Sequence, residues 1–288
     1  MALPEASSVA LLLAGQARTF VEQQVRQDLY DTVARPTRAT LFAHLSMEHE
    51  YASWHNFSAL TPSSEKHASA LIVDAIRQQF TPVAYLRVQS DRDVASTSSL
   101  WRGTLQHLQR QSVLYLRWLL LHRALVAEEQ RRGSLFKVVL RARPDLLLTC
   151  ALPHADALAA WMSNYDAVQH GDVVLIARRA AAEVALQAYL YANTTWSCGI
   201  KIELCVPGLL ASRNLLLGTL LPGTFAVVRP HEFCARAELQ QSRNRLPDWL
   251  ACGRSHLATR RSRCSAAPRS WNLTHHEQFW LARRSVHA

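Results

Sequence analysis

The sequence predicts an α/β fold, a mostly parallel sheet flanked by helices. Two observations support this prediction. The chain opens with a strand, a glycine turn and a helix, and short apolar segments then alternate with longer segments of helical spacing as far as Val228. Such alternation is typical of parallel sheets with helical crossovers. With 288 residues, 49% of them hydrophobic, the chain can bury a sizeable core.

The first part of the chain predicts three strands separated by helices. Short apolar runs indicate strands, and apolar residues at three- and four-residue steps indicate helices. The strands are expected at residues 9–14, 39–44 and 83–88, and the helices at 20–30 and 65–80. The polar segment 46–64 is expected to be an exposed loop. This order gives the first two βαβ units of the sheet.

The second part begins with the longest helix, expected at residues 100–132 and ended by Gly133. Further strands are expected at 136–140, 167–169, 172–176 and 224–228, and further helices at 155–163, 180–192 and 209–221. From Pro230 the periodicity gives way to Arg, Ser and Cys. We therefore expect an irregular C-terminal tail, and divide the chain into a domain at 1–228 and an extension at 229–288 packed on it.

The segment KVVLRARPDLLL, residues 137–148, places charge within an apolar strand. Arg141, Arg143 and Asp145 are expected to alternate on one side where the strand leaves the sheet, and Pro144 stiffens that exit. A carboxylate there can hold a divalent metal, and guanidinium groups can grip phosphate. The alternative is an Arg–Asp ion pair that only fixes the end of the strand.

The segment AGQARTF places a glycine after the first strand and polar residues before the first helix. Gly15, Gln16, Arg18 and Thr19 could meet an anion or a base edge there. The alternative is that Thr19 caps the helix and Arg18 is a surface residue. The segment matches neither the dinucleotide-binding glycine motif nor a P-loop.

Together these motifs resemble the GT-A type of nucleotide-sugar glycosyltransferases, in which a GQxRTF-like turn precedes an RxRPD strand. The resemblance covers residues 9–228 and includes the later segment GDVVLIARR. It implies a Rossmann-like sheet that binds a nucleoside-diphosphate sugar, with Asp145 as a ligand of Mn²⁺ or Mg²⁺. The chain departs from the family's DxD motif, because Arg143 stands at the place of the first aspartate. Arg143 or Arg141 could instead neutralise the diphosphate directly.

The resemblance also places Arg178, which closes GDVVLIARR, beside the donor site. An inverting enzyme needs a base for the acceptor hydroxyl. The candidates are carboxylates: Asp166, Asp172, Glu203 and Glu232. The expected function is transfer of a hexosyl unit from a nucleotide sugar to a hydroxyl of a glycan or protein. The alternative is a non-catalytic protein that binds a glycan or polyanion on a degenerate glycosyltransferase fold.

The charge of the chain is concentrated in the tail. Of the net charge of +10, residues 229–288 carry +7, from 11 Arg against four acidic residues. That stretch lacks the interleaved aromatic residues of a stacking platform, so nucleic acid is not an expected partner.

Cysteines and sequons favour a secretory compartment. The six cysteines lie at 150, 198, 205, 234, 252 and 264, without a CxxC pair, which favours disulfides over a zinc site. Asn56, Asn193 and Asn272 begin glycosylation sequons. No signal peptide or transmembrane segment is recognised. We therefore expect a Golgi-lumenal domain that lacks its anchor, or else a cytoplasmic protein with accidental sequons.

Overall fold

The computed structural model describes eleven parts of the chain: residues 7–17, 20, 23–46, 62–100, 110–148, 151–162, 164–170, 173–191, 202–220, 225–227 and 273–275. Within these parts, eight strands form one mixed sheet in the order β10-β8-β6-β7-β4-β1-β2-β3. Its strands are β1 Val9–Gln16, β2 Thr40–Ser46, β3 Val83–Val88, β4 Val138–Ala142, β6 Ala167–His170, β7 Val174–Arg178, β8 Leu217–Leu220 and β10 Leu273–His275.

The sheet is mostly parallel. Strands β3, β2, β1 and β4 are neighbours and parallel, and β6 pairs in parallel with β8. Strand β7 runs antiparallel to both β4 and β6, and β10 runs antiparallel to β8. Strands β5, Leu146–Leu148, and β9, Phe225–Val227, form a separate antiparallel pair. The predicted class, an α/β protein with a Rossmann-like sheet, is confirmed.

Helices cover both faces of the sheet. Among the described residues they are α1 Gln23–Leu29, α2 Arg35–Thr37, α3 Pro62–Gln79, α4 Asp91–Thr97, α5 Arg110–Arg132, α6 Ala155–Trp161, α7 Arg179–Leu186, α8 Ala188–Tyr191 and α9 Ile202–Ser212. A π-helical turn, Tyr30–Ala34, joins α1 to α2.

The core explains why the first strand is apolar from Val9 to Ala14. Leu11 and Leu13 of β1 face one buried cluster, which includes residues of α1, α3 and α6. Ala10 and Leu12 face the other, which includes residues of α5, α7, α8 and α9. Because both faces are covered, the strand reads as a continuous hydrophobic run rather than an alternating one.

The predicted helix at 209–221 is wrong in its second half. Helix α9 ends at Ser212, and Asn214 adopts a left-handed conformation with φ of 56°. The chain then enters β8, where Gly218 packs tightly against Tyr165: a Cβ at this position would lie 3.0 Å from the ring. A short leucine-rich run has no periodicity that separates helix from strand, and this caused the error.

Cys205 lies buried in α9 and is disulfide-bonded. The other five cysteines lie outside the described residues. Pairing of the whole set of six stays a prediction.

Candidate functional site

The strand order places a crevice between β1 and β4. From β1 the chain continues to β2 and β3 on one side, whereas β4 lies on the other side of β1. Open α/β sheets bind ligands outside the carboxyl ends of the strands at such a reversal of strand order. Gln16 ends β1 and Ala142 ends β4. Both motifs identified in the sequence therefore leave the sheet at this point.

Gly15 brings the two motifs into proximity. It has φ of +123°, and a Cβ built on it would lie 4.0 Å from Cδ of Pro144 and 3.6 Å from Leu114. The following Gln16 is partly buried, and the amide of Ala17 donates to the carbonyl of Ser46 at 2.7 Å. The turn after β1 thus lies against the turn after β4.

The segment after β4 forms a tight turn. The amide of Leu146 donates to the carbonyl of Arg143 at 3.2 Å, with Pro144 at the second position, where its fixed φ is favoured. The amide of Arg143 donates to the carbonyl of Val173 at 2.9 Å, which ties the turn to the start of β7. The carboxyl end of β4 is therefore held from both sides.

Arg143 and Asp145 form a bidentate ion pair across this turn. Nε and Nη2 of Arg143 donate to Oδ1 and Oδ2 of Asp145, each at 2.9 Å. The side chain of Arg143 is 14% exposed and that of Asp145 is 1% exposed. This is the ion pair that the sequence offered as the alternative to a ligand site. Because the pair is largely enclosed, salt screens its attraction less than that of a surface pair of the same geometry.

Arg141 lies one strand residue before the turn. Strand β4 extends two residues beyond the predicted end at 140, so Arg141 is inside the strand and fully buried. Its guanidinium carbon lies 4.0 Å from the centre of the Trp118 ring of α5. Arg141 therefore contributes positive charge beneath the edge, through a cation–π contact.

Arg117 of α5 is a residue that the sequence interpretation missed. It is 1% exposed, and donates to the carbonyls of Leu45 at 3.2 Å and Gln89 at 2.8 Å and to Asp91 at 2.7 Å. These bonds hold the carboxyl ends of β2 and β3. The available signal was an arginine between Leu116 and Trp118 on the apolar face of the long helix.

His44 of β2 lies beside Arg117. It is 1% exposed. Burial, and secondly the charge of Arg117, lower the pKa of His44 from 6.5 to about 3. The imidazole is therefore neutral at physiological pH, and the positive charge at this part of the edge belongs to the arginines.

Two predicted site residues lie at the opposite edge of the sheet. Arg178 pairs with Val138, the first residue of β4, and donates to the carbonyls of Met162 and Tyr165, both at 3.3 Å. Asp166 precedes β6 and accepts from the amide of Leu216 at 2.8 Å. The four residue steps from Val138 to Ala142 in β4 place the two edges of the sheet about 13 Å apart. The structure does not bring these side chains to Asp145.

A pocket of about 400 Å³ also lies at this opposite edge. Its lining includes Ser7, Thr40 and the pair formed by Glu128 and Arg131 at the end of α5. Arg132 also lines the pocket, so two guanidinium groups face one carboxylate there. The pocket lies at the edge away from the GQARTF and RARPD turns.

Four predicted site residues fall outside the described residues: Arg18, Thr19, Asp172 and Glu232. Glu203 lies in the first turn of α9, and its side chain is likewise outside the description. Their predicted roles stay predictions.

The residues that the structure describes include no group of three or more His, Cys, Asp or Glu side chains placed to hold a metal ion. Asp145 is the carboxylate that the sequence assigned to the metal, and both of its oxygens accept hydrogen bonds from Arg143. The donor set at this turn does not fit a resident Mn²⁺ or Mg²⁺, which binds to several oxygen ligands.

Fold and site together define an α/β protein whose arginine-rich carboxyl edge lies at a change of strand order. No protein-family model matches the chain, and no curated protein matches it. Among solved structures, the chain is similar to mouse xyloside xylosyltransferase 1 in its apo form, with 10% identity and a TM-score of 0.33 over 72% of this chain and 76% of that one. A likeness this weak carries no argument, so the fold class depends on the strand topology.

Within the described residues, no helix is both long enough and apolar enough to cross a membrane.

Proposed function

We propose that the carboxyl edge of the sheet binds a nucleoside-diphosphate sugar and transfers its sugar to a hydroxyl group of a glycan or protein. The observation that carries the proposal is the convergence of the GQARTF and RARPD turns, in which Gly15 lies against Pro144. These are the two motifs on which the resemblance to GT-A glycosyltransferases depends. They meet at the change of strand order, where α/β sheets bind nucleotides.

The charges at this edge suit the leaving group. In the transfer, the bond between the anomeric carbon and the diphosphate oxygen breaks, and the electron pair stays on the diphosphate. A new bond forms between that carbon and the acceptor oxygen, whose proton passes to a base. Stabilising the charge that develops on the leaving group is the main task of the protein. Arg143, beside the buried Arg141, supplies positive charge at this position.

The candidate bases for the acceptor hydroxyl differ in their position. Asp166 is remote from the edge and is engaged with the amide of Leu216. Asp172 follows β6, which ends at the carboxyl edge, and this makes it the first carboxylate to test. Glu203 is the second carboxylate to test. Loss of turnover without loss of donor binding in Asp172→Asn would support its role.

Donor binding and transfer test the proposal directly. UDP and GDP sugars are titrated into the full chain, and release of nucleoside diphosphate is then followed with glycan acceptors. We expect Arg143→Gln to weaken donor binding and Arg178→Gln, at the opposite edge, to leave it unchanged. Absence of binding to every nucleotide sugar, with and without Mn²⁺, would refute the proposal.

One observation favours the non-catalytic alternative. Asp145 and Asp91, two carboxylates that the structure describes at this edge, are held in ion pairs with Arg143 and Arg117, and this pairing opposes a role in acid–base chemistry. Binding of a glycan or polyanion without donor hydrolysis or transfer would support this alternative.

We also propose a secretory location, on the strength of the sequons and cysteines of the sequence. It predicts that native material contains paired cysteines and glycan at the sequon asparagines. Six free thiols on alkylation and mass spectrometry would contradict it.

A further inference from the structure

Asp145 occupies the place that the resemblance assigns to a metal ligand, and Arg143 occupies the place of the first aspartate of the DxD motif. Both oxygens of Asp145 accept hydrogen bonds at 2.9 Å from two different nitrogens of one guanidinium. With 1% exposure, the Asp145 side chain is almost wholly enclosed. Asp145 therefore holds the guanidinium of Arg143 in a fixed plane.

A divalent cation would compete with this guanidinium for an enclosed carboxylate. To use the lone pairs of Asp145 that Arg143 occupies, it would have to displace Arg143 and would then lie near the displaced guanidinium. The buried Arg141 two residues earlier adds a second positive charge to the same segment. Positive charges in a segment from which solvent is largely excluded disfavour a further cation.

We propose that Arg143, and not a divalent metal, meets the diphosphate of the donor, and that Asp145 is a positioning residue for Arg143. This inference rests on the proposed function and deepens it. A guanidinium presents a planar fork that matches the oxygens of a phosphate group. Side-on pairing through Nε and Nη2 fixes the orientation of that fork. The side chain of Arg143 is 14% exposed, and the residue lies in the turn where the chain leaves the sheet. During transfer Arg143 compensates the charge left on the diphosphate, and no proton moves to or from it.

Calorimetric titration of the full chain tests the inference. UDP, GDP and inorganic pyrophosphate are the probes, each with EDTA and with Mn²⁺. We expect equal affinities in the two conditions. Arg143→Gln is expected to weaken binding about tenfold or more, since it removes a charge-assisted contact, and Arg143→Lys, which keeps the charge but not the fork, to weaken it less.

A double-mutant cycle isolates the positioning role. Asp145→Asn is expected to weaken probe binding in the wild-type chain and to have little effect in the Arg143→Gln background, because it acts through Arg143. A purely structural role would give equal effects in both backgrounds and so overturn the inference. Arg178→Gln, at the opposite edge, is the matched control.

The comparison of titrations in EDTA and in Mn²⁺ uses only the wild-type chain, so this test remains valid even if a variant fails to fold. Binding that is lost in EDTA and restored by Mn²⁺ would overturn the inference and leave the proposed function standing. Metal-free binding of pyrophosphate without binding of any nucleotide would support the arginine site and refute the proposed function. No binding of any probe in either condition would overturn both.

Discussion

Gly15, the penultimate residue of β1, has a backbone conformation that other residues rarely adopt. Its φ of +123° lies outside the left-handed helical region near +60° that asparagine tolerates. A Cβ at this position would make only ordinary contacts, the nearest at 3.6 Å. Backbone strain, rather than a steric clash, therefore requires glycine where the two motifs meet.

Replacing Gly15 should destabilise the fold through this strain. We expect Gly15→Ala to lower the free energy of unfolding by about 1–3 kcal/mol, measured by urea denaturation. Gly133, with φ of +68° and no atom within 4 Å of a built Cβ, is the matched control. Gly133→Asn should be tolerated, whereas Gly15→Asn should not. Equal tolerance at both positions would show that Gly15 is not strained.

His44 should make the stability of the protein depend on pH. Its pKa of about 3 in the fold lies below 6.5, so between these values the unfolded chain binds a proton that the folded chain excludes. Stability is therefore fully present above pH 6.5 and falls as the pH falls towards 3.

Between pH 7 and about 5.5, His44 alone should cost about 1 kcal/mol of unfolding free energy. We expect His44→Gln to lack this part of the pH dependence, and His154→Gln, at an exposed histidine, to retain it. His122, whose pKa is also lowered by burial, leaves a residual slope in the same direction. Identical pH profiles for His44→Gln and wild type would contradict the assignment.

At the scale of residues, the sequence predicted which side chains approach one another but not how they pair. Gly15, Arg143 and Asp145 were predicted because glycine and charge are conspicuous beside apolar strands. The bidentate geometry of Arg143 and Asp145 was only one of two alternatives, since it depends on the Pro144 turn and on the hydrogen bond to Val173. Arg117 could not be predicted, because its partners are contributed by β2, β3 and α4.

At the scale of elements, α5 joins the two edges of the sheet. Near its start, Arg117 binds the ends of β2 and β3. Near its end, Glu129 accepts from the amide of Phe136 at 3.0 Å and from Nε of Arg179 at 2.8 Å, and is 4% exposed. The helix thus organises the carboxyl edge and also fixes the start of β4 and of α7.

Breaking the Glu129 contact should affect stability and not binding. We expect Glu129→Gln to lower the free energy of unfolding by about 1–3 kcal/mol, because it removes the buried carboxylate and leaves Arg179 paired only with the more exposed Glu183. The adjacent Glu128, which pairs with the exposed Arg131, is the control, and Glu128→Gln should have little effect. Nucleotide binding by folded Glu129→Gln should match that of wild type, since the contact lies at the opposite edge. Weaker binding would show that the two edges are coupled.

At the scale of the whole molecule, the α/β class and most strands could be predicted, because alternation of apolar segments is a local signal. The placement of β6, β7 and β8 in the sheet could not be predicted, because the periodicity of the sequence does not show that β7 lies antiparallel between β4 and β6. Because β7 runs antiparallel to β4, Arg178 lies at the edge of the sheet opposite to Asp145. Residues 273–275 of the predicted extension add strand β10 to the sheet, so part of the tail belongs to the domain architecture.

The charge of the whole molecule separates the proposed function from its alternative. Residues 229–288 carry +7 of the net +10. A polyanion bound by this region should dissociate steeply as salt rises from about 50 to about 200 mM, because counterions are released on binding. We expect the triple change Arg260→Glu, Arg261→Glu and Arg263→Glu to flatten that dependence for a sulfated glycan, and the corresponding lysine changes to preserve it. Nucleotide binding at the edge between β1 and β4 should be unchanged in both variants. Loss of nucleotide binding in the glutamate variant alone would mean that the tail contributes to the donor site. If polyanion binding by the wild-type chain does not depend on salt, the polyanion alternative is excluded.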